Sequence, residues 1–374
     1  MPRKGRARQG RLVLEDGTVF PGQSFGADRP VAGEVVFTTG MVGYPEALTD
    51  PSYRGQILVF TYPSLGNYGV PGSAVAGTAD TRDAVGPGDL PGRPLESSRI
   101  QVAGLVCASY SEEFSHYRAE LSLGDWLAGQ EVPALTGVDT RALTKRIRVR
   151  GALLGRIELL GRPSPAFDDP NARNLVGEVS SKGVRRYGRG GVPLAAIDCG
   201  MKYNQVRMLV ERGAKVRVVP WDYDLFSVKR DYAGVVISNG PGDPRLVKRT
   251  IETARRLMQA RVPILGICLG HQILALAAGA STYKMKFGHR SHNQPCVERP
   301  RGRCYQTSQN HGYAVDGRSL PENWQEWFTN ANDGTNEGIR HRRQPWRSVQ
   351  FHPEAAPGPS GTEWILDEFL AEIG

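Results

Sequence analysis

The sequence predicts an α/β protein in two parts: a β-rich α/β domain first, then a mostly parallel sheet flanked by helices. Three observations predict it. From Val192 onward, short apolar runs alternate with amphipathic stretches, the rhythm of strands joined by crossover helices. Before residue 160 the apolar runs are short and broken by Gly, Pro and Asp, as in a strand-rich domain. Between them, residues 161–191 are loaded with Pro, Gly, Arg and Lys and read as a linker.

A chain of 374 residues, 40% hydrophobic, has room for two or three domains with real cores. No apolar run approaches the ~20 residues of a membrane helix, so no membrane partner is expected. Five cysteines without regular spacing argue against a disulfide scaffold and for a reducing compartment. The net charge of +9 owes much to Arg3, Lys4, Arg6, Arg8 and Arg11. Residues 1–10 read as a basic, disordered tail. No basic motif studded with aromatics follows, so no nucleic-acid partner is expected.

Residues 11–20 read as a hairpin, because two apolar runs flank Glu15-Asp16-Gly17. Val35–Phe37 and Ile57–Phe60 are strands, and Thr39–Tyr53 is an ordered loop around one short helical turn. Residues 71–94, rich in Gly, Pro and Ala, read as a flexible insertion. A strand over 102–106 and helices near 121–128 and 140–150 complete the first domain, with Asp139 or Thr140 capping the last helix.

In the second domain, Leu194–Ile197, Val216–Val219 and Gly234–Ile237 are strands. A helix carrying Val206, Leu209 and Val210 on one face follows the first of them, and another spans about 250–259. Next comes Pro263-Ile264-Leu265-Gly266-Ile267-Cys268-Leu269-Gly270-His271-Gln272, a strand, a Gly-x-Cys-x-Gly turn and the start of a helix. That order is the sulfur counterpart of the nucleophile elbow. The glycines allow a sharp bend, and the helix N-terminus favours thiolate. A small buried core cysteine is the plain alternative.

A cysteine nucleophile needs a base and an orienting acid. His352 ends a strand-like run, and in an extended segment Glu354 would face the same side. An incidental His-Pro-Glu turn is the alternative. His289-x2-His292-x3-Cys296 with Cys304 lacks the paired spacing of a zinc site, so no metal is expected. Ser308-Gln309-Asn310-His311-Gly312-Tyr313 reads as a polar loop able to present backbone groups to an amide.

Gly266–Gln272 with His352-Pro353-Glu354 resembles the class I glutamine amidotransferases. The stretches Gly40–Tyr53, Thr61–Gly69, Gly137–Thr144, Asp198–Lys202 and Ser308–Tyr313 resemble the small subunit of carbamoyl-phosphate synthase. The resemblance runs from about residue 11 to the C-terminus, interrupted at 71–94. It implies domains at 11–160 and 192–374, the second with the class I amidotransferase fold. It further implies a glutaminase whose ammonia passes to a large synthetase subunit or fused domain. ATP and magnesium are expected on that partner, and no cofactor on this chain, which has no Gly-rich phosphate loop. By the same resemblance Cys268, His352 and Glu354 are catalytic. Ser52, Gly240, Gly242, Leu269, Gln272, Asn310, Gly312 and Tyr313 then line the glutamine site. The expected compartment is the cytoplasm, with the mitochondrial matrix as alternative. Two rival functions remain: a non-catalytic regulatory scaffold for an ammonia-dependent synthase, and another thiol γ-glutamyl hydrolase on the same fold. Val219–Asp222 and Phe328–Gly338 are closer to the fused animal enzymes, which include an ammonia-dependent form without the cysteine; Cys268 is retained here.

Overall fold

The computed structural model describes residues 8–72, 95–227 and 230–374. Residues 73–94, most of the expected insertion, and residues 1–7 of the expected tail lie outside the described residues. The described chain falls into two compact units, one reaching Pro170 and one running from Asn171 to the C-terminus.

The first unit is a closed barrel of mixed strands. The expected hairpin is there, longer than read: Gln9–Leu14 pairs with Val19–Gly26, so Gln9 and Gly10 belong to a strand rather than a tail. Val31–Thr38, Gln56–Phe60, Gly104–Val106 and Pro133–Thr136 continue the wall in parallel. The wall closes where Leu153–Leu159 pairs antiparallel with both Gln9–Leu14 and Val31–Thr38. The helix Leu123–Gly129 starts at Ser122, whose Oγ accepts from Asp125 N. Helix Thr140–Arg150 starts at Asp139, whose carboxylate accepts from Ala142 N. Each side chain satisfies one of the donors a helix start leaves open. Leu58, Leu105, Leu123 and Leu127, all without solvent exposure, form part of the core against these elements.

The second unit is built on a ten-stranded sheet. Its centre is parallel: Ala214–Pro220, Val192–Asp198, Gly234–Ile237, Ile264–Ile267 and Trp346–Val349, in that order. Ala195, Val235 and Ile264 are wholly buried, as strands covered on both faces must be. Helices Tyr203–Glu211, Lys248–Gln259 and Leu269–Ala278 are the expected crossovers. Part of the stretch read as linker is structured. Val176–Val179 is a short helix, and Arg185–Tyr187 pairs with Ala214–Pro220 as the edge strand. Beyond Trp346–Val349 the sheet continues antiparallel through Asn336–His341 to a long pair, Thr282–Glu298 and Arg303–Val315, with Trp324–Asn330 at the edge. No helix among the described residues is long and apolar enough to cross a membrane.

Candidate active site

The parallel strands order the second unit so that Asp198 closes one strand, and Ser238, Cys268 and the segment after Val349 follow the carboxyl ends of three others. Strand order reverses between Val192–Asp198 and Gly234–Ile237, and such a switch point opens the crevice where ligands bind.

Cys268 sits in the hinge between strand Ile264–Ile267 and helix Leu269–Ala278 with φ 54°, ψ −103°. A non-glycine residue with positive φ is strained, and here the strained residue is the sulfur-bearing one. Its amide donates to Val349 O at 2.8 Å, and Sγ donates to Asn310 O at 3.7 Å. The flanking glycines are needed for a different reason from the bend read in the sequence, since neither has positive φ. A Cβ on Gly266 would stand 2.5 Å from Gly270 O, and one on Gly270 would fall on the Ile237 carbonyl. Strand and helix meet too closely for any side chain. Gly270→Ala should therefore prevent correct packing of the elbow, and we expect loss of soluble protein or a marked drop in thermal midpoint. A variant as stable as the parent would refute that account.

His352 and Glu354, expected as base and orienter, are brought into contact. The His352 Nδ1 lies 2.7 Å from Glu354 Oε1, both residues being almost fully buried. The expected juxtaposition holds, but its cause differs. The strand ends at Val349; His352 then makes one antiparallel bridge with Ser308 and the chain turns. Burial opposes the imidazolium, but Glu354 and then Cys268 raise the His352 pKa to about 10. Burial likewise raises Glu354, and His352, Lys202 and Gln205 outweigh it to bring the carboxyl to about 2. Among the described residues His352 Nε2, the nitrogen not used by Glu354, makes no hydrogen bond of ordinary geometry, although Cys268 is close enough to act on its charge. Such a contact commonly tightens only when substrate is bound.

His271 is nearer in sequence but takes no such part. Its Nδ1 meets Ser348 Oγ at 2.9 Å, and complete burial lowers its pKa to about 3, so it stays neutral.

The remaining expected residues fall as follows. Leu269 opens the helix, where the first N–H groups have no intrahelical acceptor. Gly240 and Gly242 lie in the turn after Gly234–Ile237; a Cβ on Gly240 would strike Cys199 O. Gln272 donates to Tyr313 O at 2.8 Å and Gln350 Oε1 at 2.9 Å, tying the helix to the neighbouring strand. Asn310, Gly312 and Tyr313 are in strand Arg303–Val315, which corrects the loop read from their composition. Ser52 is in the first unit, in the turn Pro51–Tyr53, its amide donating to Asp50 Oδ1 at 2.9 Å.

Three residues were missed. Lys202 is a buried cation whose Nζ donates to Ala355 O at 2.5 Å and Ala356 O at 3.1 Å, and stands 3.8 Å from Glu354 Oε1. Ala355 and Ala356 have φ 46° and 56°, and the two bonds to Lys202 hold them there. Asn204 Nδ2 donates to Glu354 O at 2.6 Å and Gln205 Nε2 to Glu354 Oε1 at 3.0 Å. The only sequence signal was the stretch Asp198–Lys202, which carried no roles. Of the zinc-like group, Cys296 is buried but Cys304 is exposed, whereas His289, His311 and Glu337 come together.

Comparison with known proteins follows the two units. Residues 12–157 match the family described as carbamoyl-phosphate synthase small chain, CPSase domain. Residues 195–372 match glutamine amidotransferase class-I. The carbamoyl phosphate synthase arginine-specific small chain of Aspergillus oryzae is 47% identical over 99% of this chain and 82% of its own length. The multifunctional protein pyr-3 of Neurospora crassa is 52% identical over 97% of this chain but 21% of its own length. The multifunctional protein CAD of Squalus acanthias is 51% identical, over 96% of this chain and 16% of its own. The chain thus spans only about a sixth to a fifth of the length of these multifunctional relatives.

Proposed function

The chain belongs to the carbamoyl-phosphate synthase small-chain family, and from that premise we propose that it is the glutaminase of carbamoyl-phosphate synthesis. Cys268 passes its Sγ proton to His352, and the resulting thiolate attacks the side-chain carbonyl carbon of glutamine. The C–S bond forms, and the negative charge moves to oxygen. Backbone N–H groups of Leu269 and Gly242 receive that oxyanion, one such donor typically lowering the barrier by about 3 kcal/mol. As the C–N bond breaks, the His352 imidazolium gives its proton to the departing ammonia. Water then attacks the glutamyl thioester with His352 taking its proton, which releases glutamate and restores the thiolate. Glu354 keeps the imidazole oriented and stabilises its charge throughout. Gly240, Gln272, Asn310, Gly312 and Tyr313 shape the pocket around the amide.

Ammonia passes from this site to a synthetase subunit or fused domain, which uses bicarbonate and two ATP; ATP and magnesium belong to that partner. Relatives of both kinds, separate small chains and long multifunctional proteins, support either form of partner. Five free cysteines fit the reducing cytoplasm.

The observation that carries the reading is the His352–Glu354 pair, 2.7 Å apart and buried beside a cysteine on a strained elbow. Glutamine labelled with 15N in its amide tests it. Labelled ammonia is expected from the chain alone, and labelled carbamoyl phosphate once a synthetase partner, bicarbonate and ATP are added. No hydrolysis under either condition would sink the glutaminase reading. Hydrolysis without transfer of label would sink the partnership.

A further inference from the structure

Strand Arg303–Val315 presents Asn310 and Gly312 in alternation with Gln309 and His311. The second pair joins a buried polar cluster with His289 and Glu337, none of the four more than 7% exposed. His289 lies opposite His311 in the strand register, their rings 5.0 Å apart and edge to face. His289 Nε2 is 2.9 Å from Asp333 Oδ2, and Nδ1 is 3.0 Å from Gln309 Oε1 and 3.2 Å from Glu337 Oε1. The Gln309 amide nitrogen donates to Thr307 Oγ1 at 3.1 Å and to Cys296 Sγ at 3.2 Å, which turns its oxygen toward the imidazoles. Both His289 nitrogens face acceptors, a carboxylate at each, which favours the doubly protonated ring. Burial works against that charge, yet Asp333 and Glu337 raise its pKa to about 9. His311, to which no carboxylate among the described residues is bonded, is instead held well below its ordinary pKa by burial and by His289. Burial raises Glu337 itself; Asp333, although burial opposes its charge as well, is held low by its bond to His289 and carries the opposing charge.

The cluster reaches the chemistry through the strand. Gln309 Oε1 is also 2.9 Å from His311 Nε2, and His311 Nδ1 is 2.8 Å from Tyr313 O, the carbonyl that Gln272 also holds. Between them, Asn310 O accepts from Cys268 Sγ. His289, His311 and Glu337 converge closely enough to suggest a metal site, but Gln309 Oε1 stands between the two imidazoles, and a proton suits that place.

We infer that His289, clamped between Asp333 and Glu337, is a positioning residue that fixes Gln309 and His311 and thereby holds the 310–313 backbone against Cys268. The inference rests on the glutaminase reading of the same site. Loss of the clamp should loosen the bound amide more than the chemical step. His289→Leu is expected to raise the glutamine KM about tenfold with kcat changed less than about threefold. His289→Gln, which keeps a donor, should recover part of that loss, and Asp333→Asn should reproduce it in weaker form. Thermal midpoints accompany each measurement, and Asp333→Asn stands in if His289→Leu does not fold. A folded His289→Leu with the parent's KM overturns the inference while leaving glutaminase activity intact. Equal loss of kcat and KM in step with the thermal midpoint also overturns it, because that is a general structural effect. So does a parent whose KM rises on chelation and recovers with added zinc, since an ion would then occupy the cluster. A parent that never hydrolyses glutamine fails the underlying reading instead.

Discussion

Cys268→Ala is expected to lower glutamine hydrolysis about 10⁴-fold or more, since it removes the sulfur that forms the thioester. The loss should be confined to chemistry. Alanine at φ 54° is no more strained than cysteine, so the thermal midpoint should stay within a degree or two of the parent's. Cys268→Gly sharpens the test. It removes the side chain and also relieves the left-handed backbone, which costs non-glycine residues about 1 kcal/mol or more. The glycine variant should be as inactive as the alanine variant and more stable than it. If instead Cys268→Ala hydrolyses glutamine at the parent's rate, the sulfur is not the nucleophile. If Cys268→Gly melts below Cys268→Ala, the elbow is not storing strain at this residue.

Glu354→Gln should lower kcat by roughly 10² to 10⁴, the range lost when a catalytic imidazole loses its orienting anion. The same substitution should change how stability depends on pH. His352 has a pKa raised from 6.5 to about 10. Its contribution is fully present below 6.5 and is lost as pH rises through about 10. Glu354 has a pKa lowered from 4.5 to about 2. Its contribution is present above 4.5 and is lost as pH falls through about 2. The stability gap between parent and Glu354→Gln should therefore be widest at mildly acid pH and shrink on both sides. Thermal midpoints of the two proteins, compared from pH 3 to 10, give the curve. A gap that widens steadily toward alkaline pH would mean the pair is not ionic in the folded protein.

Much of this site was legible in the sequence because its chemistry sits where patterns are simplest. Parallel strands buried on both faces read as apolar runs, and their ends are where function collects, so Cys268 stood out at once. His352 and Glu354 were found by proximity, although the turn that unites them was not foreseen. The long antiparallel pair from Thr282 to Val315 was missed. Its inward residues include His289, Gln309 and His311, which are buried by satisfying one another rather than by being apolar. Periodicity has no signal for such a strand, and 308–313 therefore looked like a loop. Arg185–Tyr187 escaped for a related reason: only Tyr187 of this edge strand is buried, and two arginines and nearby glycines made it resemble a connection. Lys202 was hidden by distance, since it meets Ala355 across 153 residues of chain.

The closure of the first unit sets an order of events during synthesis. Gln9–Leu14 can take only one of its two neighbours early; the other, Leu153–Leu159, leaves the ribosome more than a hundred residues later. Until then the barrel has an open seam, and an unpaired strand edge invites association with other chains. Nascent chains stalled before residue 150 should remain sensitive to protease and bound to chaperones. Those released past residue 160 should become resistant together rather than piece by piece, because the last strand to emerge seals the first.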